Sequence, residues 1–416
     1  MRLVNKLNEL REETAISMHV PGHKNMTIGN LSRLNWTDDM TEITGLDDLH
    51  SPEGILLELN EFLAGKSPGY HAQAVVNGTT TGILSAVYAV KDKVDEFLII
   101  GDAHKSVYHG LDLADASFEK HSSEEVLKLD LKNKALILTY PTYSGEGIKN
   151  MENIIGEAGA AGAIVIVDEA HGAHNGIAPG FLPSAMTFNA DIVIQSYHKM
   201  LPALTGASAV FTKDRRMHQT VMKYIDYFET SSPSYLILAS IELAHKFYND
   251  FVPDEFHNKR RAIIDYLKEL KFTVGEGEDP AKITLNREGV SPYRLFEVLD
   301  NANIYSEMVT DEGVLWCLPL FHPGHGYPLD LLFERLKELS FDEPDPAQSK
   351  DEDLTFLVGK EAVRPVVPYP PGVPIIHTGE HFTHDIIKTI IHKRFYRVKM
   401  EGIEDNIECY KVEDDT

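Results

Sequence analysis

The chain has 416 residues, 43% of them apolar and 25% charged, a formal net charge of −25, and two cysteines, Cys317 and Cys409. That length supports two or three domains whose cores need no covalent staples, and the acidic balance excludes the clustered Lys and Arg that hold nucleic acid or an anionic membrane. Two cysteines exclude a disulfide framework and a four-cysteine metal centre, no run reaches the ~20 apolar residues of a membrane span, and a reducing cytoplasm is expected.

The opening MRLVNKLNELREE puts Leu3, Leu7 and Leu10 at helical spacing with charges between them, a helix rather than a signal peptide. Gly and Pro punctuate MHVPGHKNMTIGN, so residues 1–50 are expected to form an arm without its own core. From 51 to 235 the runs EFLIIGDAH, KALILTYPTY, AGAIVIVDEAH and ADIVIQSYHK alternate with the helical stretches TGILSAVYAVKDKV and IKNMENIIGEAGAAG. Buried strands alternating with helices predict βαβ units and a mostly parallel sheet, an α/β large domain. Residues 236–416 read as a smaller α+β domain, opening with helices in SYLILASIELAHKFYNDF and NKRRAIIDYLKEL. An acidic linker is expected near 341–354, and the prolines of RPVVPYPPGVPIIHTGE exclude a central strand or a regular helix.

Ligands of open α/β sheets bind beyond the carboxyl ends of the strands, so the residues that end each apolar run carry the chemistry. Asp168 ends one of them and is either a cap for the following loop or the acceptor for a cationic ring nitrogen. Lys199 ends the next, where a lysine usually only reaches water. Desolvation and a cationic neighbour such as His198 would make it a nucleophile toward carbonyls. In VVNGTTTG, Gly78, Thr79 and Thr80 open an apolar helix, either as simple threonine capping or as a phosphate site. The Lys-Ser/Thr of a nucleotide P-loop is missing, so the phosphate need not belong to a nucleotide. His104 ends a further strand with a flat ring, as a structural histidine or a stacking one. His171 and His174 lack a partner motif for zinc, and no metal is expected.

These residues together describe one ligand, with a phosphate at Thr79, Thr80 and Ser196, a ring nitrogen at Asp168 and an aldehyde at Lys199. Pyridoxal 5′-phosphate has those three features.

The same stretches, MHVPGHK, VVNGTTTG, AHKS, YPTYSG, VDEAHGAH, QSYHKMLPALTGAS and YPPGVPIIHTGE, resemble the Orn/Lys/Arg decarboxylases, a family of fold type I pyridoxal phosphate enzymes, in a short form without the N-terminal wing domain. The resemblance implies Lys199 as the lysine that holds the aldehyde, Asp168 on the pyridine nitrogen, and His104 as the stacking ring. It also implies Gly78, Thr79, Thr80, Ser196, His198 and His171 as further cofactor contacts. A homodimer with shared sites is implied, its PGHK arm and TGLDDLHSPEG serving the neighbouring subunit. Gly206 stands where the family commonly has Gln, and Thr378 where Pro usually precedes Gly-Glu.

The expected reaction is α-decarboxylation of a basic amino acid, arginine, lysine or ornithine, to an amine of the polyamine class. Glu380 and His23 are the substrate-side candidates, with Glu380 read either as the carboxylate for the distal cation or as a cap. A fold type I aminotransferase or lyase, or a cofactor-binding paralogue without activity, are the alternatives.

Overall fold

A computed structural model describes residues 2–310, 312–341, 354–369, 372–395, 398–403 and 409. Helix α1 (Arg2–Glu12) forms on its leucine spacing yet buries none of its residues. Strand β1 (Ile16–Met18) then carries the arm away from the large domain, pairing in parallel with β11 (Ile304–Ser306).

The large domain runs through α2 (Ile55–Ala64), β2 (His71–Val75), α3 (Gly78–Val90), β3 (Glu96–Ile100), α4 (Lys105–Leu113), β4 (Phe118–His121) and β5 (Lys134–Thr139). It continues with α5 (Met151–Ala161), β6 (Ile164–Asp168), β7 (Ile192–Ser196), α6 (Tyr197–Met200), β8 (Ser208–Thr212) and α7 (Arg215–Phe228). The sheet order is β2-β8-β7-β6-β5-β3-β4, and β8 alone runs against its neighbours. The β-branched runs are strands because both faces are covered. Leu136, Val165, Val167 and Val193 pack into one core, while Ile137, Ile166, Ile192 and Ile194 pack into the other. Helix α3 lies hard against the second face at Gly82, where a Cβ would come within 2.8 Å of Ile194 and Val210.

Helices α8 (Tyr235–Asp250) and α9 (Pro253–Glu269) lead to β9 (Phe272–Glu276), β10 (Lys282–Arg287), α10 (Pro292–Asn301), β11, β12 (Met308–Thr310), β13 (Gly313–Cys317) and α11 (Leu329–Glu338). Their antiparallel sheet has the order β12-β13-β10-β9. Beyond it, β14 (Val367–Tyr369), α12 (His384–Phe395) and β15 (Lys399–Glu401) enclose a separate core around Leu357, Val366, Ile376 and Phe382. The antiparallel sheet, by contrast, packs Leu285 and Val314 into the core shared with one face of the large sheet. Pro368 sits in a two-stranded ribbon, where its missing N–H leaves no gap in a larger ladder. Most of the expected linker, 342–353, and the acidic tail lie outside the described residues.

Candidate active site

Strands β5, β6 and β7 end side by side, and a cavity of about 380 Å³ opens beyond them. Asp168 is the last residue of β6, only 4% exposed, and accepts one hydrogen bond, from the Ala170 N–H at 3.2 Å. Thr139 ends β5 directly opposite it in the ladder. After β7 the chain turns at once into the single turn α6, which projects Lys199 into the same space. Its Nζ stands 3.1 Å from His171 Nε2, and His171 packs edge-on against Tyr143.

Burial dominates the electrostatics. It pushes the Lys199 ammonium down, with Asp168 opposing, and it pushes the Asp168 carboxyl up, with Lys199 and the Ala170 N–H opposing. His171 is driven well below the usual histidine range by burial and then by Lys199, so it is a neutral ring at physiological pH.

The turn into α3 supplies Gly78, Thr79 and Thr80 to the cavity. Gly78 takes φ +78°, a conformation that favours glycine, and no side chain caps the helix at Asn77, so the N–H groups that follow Gly78 keep their capacity for an anion. His198 lines the same end and bonds the Ala207 carbonyl at 3.1 Å. Ser196 is fully buried; it reaches the site only through His198, 3.1 Å from its Nδ1. Gly206 has φ +98°, accepts from the Gly78 N–H at 2.8 Å, and would drive a Cβ to 2.7 Å from Val76 O. The departure from Gln therefore follows from a loop pressed against the phosphate-type turn.

His104 caps α4 by accepting from the Ser106 N–H at 3.2 Å, and the serine of AHKS also brings its Oγ to 2.8 Å from the same Nδ1. The other edge of the His104 ring faces Gly372. Gly372, at φ +87°, accepts at its carbonyl from the Lys105 N–H at 2.9 Å, and a Cβ there would lie 2.9 Å from His104 Nε2. Burial, then Lys199, lowers His104 to about 4.

The arm reaches its own chain's cavity. His19 and Val20 line it, and the Gly22 N–H donates to His198 O at 2.8 Å. His23 does not line the cavity; its Nδ1 accepts from the Met26 N–H at 3.1 Å. Glu380 lies outside as well. It is exposed, and its carboxylate accepts from the N–H of His377, three residues before it, at 2.7 Å. Sequence reasoning missed Thr139, Tyr143, Glu307 and Tyr369, all on the cavity wall. Thr139 and Tyr143 stand at the end of KALILTYPTY and Tyr369 opens YPPGVPIIHTGE, stretches already in view, whereas Glu307 had no local motif.

Pyridoxal 5′-phosphate fits this donor set. Thr139 Oγ1 and His171 Nδ1 are buried without a partner, Asp168 lacks a full set of donors, and uncapped amides face the opposite end. A lysine, a buried strand-end carboxylate and a helix N-terminus on a mostly parallel sheet define a fold type I pyridoxal phosphate enzyme.

The comparisons give the family. The profile of the Orn/Lys/Arg decarboxylase major domain matches residues 2–118 and 117–269. The chain is 30% identical to the uncharacterized protein YaaO of Bacillus subtilis, covering 93% of this chain and 92% of that one. It is 26% identical to an arginine decarboxylase of the same organism, covering 94% and 93%. Among solved structures, the constitutive lysine decarboxylase of E. coli superposes with TM-score 0.67 at 16% identity, covering 89% of this chain and 74% of that one. The chain belongs to the Orn/Lys/Arg decarboxylase family.

Proposed function

We propose that this chain releases CO2 from arginine, with lysine and ornithine as the chemically related alternatives. The observation that carries the reading is the contact of Lys199 Nζ with a neutral His171 beside the buried Asp168. Arginine comes first because, beside the uncharacterized YaaO, relatives matched over nearly their whole length are named arginine decarboxylases, whereas the lysine enzymes share the fold at low identity.

When bound, pyridoxal 5′-phosphate supplies an aldehyde for the substrate amine and a cationic ring that accepts the electron pair left by CO2. The chain's own residues do the rest. Asp168 keeps a negative charge where the ring nitrogen would lie, and burial makes that charge effective. Lys199, its pKa lowered, is available as a free amine, and His171 holds or passes a proton at Nζ. His104 offers a neutral flat face, and the first turn of α3 with Thr79, Thr80 and His198 holds the phosphate. The arm residues His19 and Val20 exclude water.

The chain is expected to act as a cytoplasmic homodimer. Exposed Trp36, Ile43 and Ile55 near the arm support an assembly, and two free buried cysteines suit a reducing compartment. The test is to load the purified protein with cofactor, supply arginine, lysine or ornithine separately, and measure CO2 and amine. Agmatine from arginine supports the reading. Amino transfer to a keto acid with no CO2 would replace it.

A further inference from the structure

Two acidic side chains line the cavity. Asp168 is assigned to the ring nitrogen; Glu307 lines the cavity from the junction between β11 and β12. Its position is set twice. The Glu307 N–H donates to Leu315 O at 3.0 Å, and its Oε2 accepts from the Val20 N–H of the arm at 2.9 Å. Among the described residues it forms no ion pair. The buried Lys24 feels its charge, but the Lys24 ammonium is occupied by the carbonyls of His19 and Cys317. Lys199 feels the Glu307 charge as well, yet neither lysine makes a direct ion pair with it, and a carboxylate fixed on a cavity wall without a contacting cation can take one from a ligand.

We infer that Glu307 receives the distal cation of the substrate, and that the arm residue Val20 positions it for that task. This rests on the reading of the cavity as a basic amino-acid decarboxylase site. Charge decides the orientation. The substrate amine is taken up at the Lys199 end, and an α-carboxylate turned toward Glu307 would meet a like charge, so the cationic end belongs there. Glu307 is on the wall of this cavity, whereas Glu380 of the same chain is exposed and engaged by the His377 N–H. A carboxylate with one oxygen anchored by a main-chain N–H suits guanidinium or ammonium alike.

The test compares arginine with citrulline, its neutral isostere, and lysine with norleucine, on the cofactor-loaded wild type and on Glu307→Gln. Agmatine binding by calorimetry provides a readout apart from turnover. In Glu307→Gln, kcat/KM for the cationic substrate should fall about 30-fold or more, chiefly through KM, while the neutral isostere changes less than about 3-fold. Agmatine affinity should fall in step. Unchanged discrimination in a variant with native cofactor content overturns the inference, and so does an equal loss on charged and neutral substrates. If Glu307→Gln fails to fold, Glu307→Asp should fold, bind agmatine more weakly and keep a preference for the cation. A folded Asp variant without that preference overturns it equally. A wild type that releases no CO2 from any basic amino acid would sink the reaction itself, and agmatine titration of wild type against variant would still decide the role of Glu307.

Discussion

Lys199 Nζ and His171 Nε2 stand 3.1 Å apart, and burial disfavours the charged form of each. The pair can share one proton at low cost, which suits a lysine that must be free to attack and later to return a proton. Replacing His171 with Asn should lower kcat about 10²-fold, within the range of general acid–base effects, while bound cofactor and KM change little. Single-turnover kinetics with a cofactor assay checks this; native kcat in His171→Asn would remove the proton role.

Gly372 lies so close to the His104 ring that an added Cβ would come within 2.9 Å of Nε2. Ala at this position meets both a strained φ and the edge of His104, so a stability loss of about 1–3 kcal/mol is expected, together with faster cofactor release. Thermal midpoints of loaded and unloaded protein separate the two effects. An unaltered release rate would detach the C-terminal core from the site.

Gly206→Gln restores the residue common in the family. Its side chain would start 2.7 Å from Val76 O at φ +98°, so the turn before Gly78 must shift. The expected outcome is weaker cofactor affinity, about 10-fold, from a misplaced phosphate cradle. A titration with pyridoxal 5′-phosphate measures it directly.

Acid should destabilise the fold in a window set by buried histidines. His104, His198 and His218 are held at about 4, chiefly by burial, against about 6.5 in an unfolded chain. Between those values the unfolded state binds more protons, so stability is full above about 6.5 and is lost as pH falls toward 4. Melting curves from pH 7 to 4.5 should show a falling midpoint. His218, bonded to Thr212 Oγ1 at 2.9 Å and outside the cavity, gives a clean variant. His218→Asn should flatten the acid limb, and an identical slope would assign the loss elsewhere.

Much of the site was legible because an α/β sheet places its chemistry at strand ends. Apolar runs ending in Asp168 and Lys199 carried both the fold and the two central groups. The strands β2 and β8 were not singled out, since HAQAV mixes polar residues into a buried strand and SAVFT follows α6 with few residues between. Glu307 was invisible for a different reason: its place on the wall depends on the pairing of β1 with β11, a contact between segments far apart in the chain. Glu380 looked attractive because YPPGVPIIHTGE is a recognisable motif, yet that segment reaches the cavity through Tyr369, supports His104 through Gly372, and leaves Glu380 outside.

Reduction of the cofactor-loaded protein with borohydride, followed by peptide mass mapping, tests the central assignment most directly. The chain offers competing buried lysines, with Lys24 lowered to about 8 and Lys66 to about 7. The pyridoxyl label is expected on the peptide containing Lys199 and to vanish in Lys199→Ala. A label on Lys24, Lys66 or Lys282 in the native protein would contradict the site described for this chain.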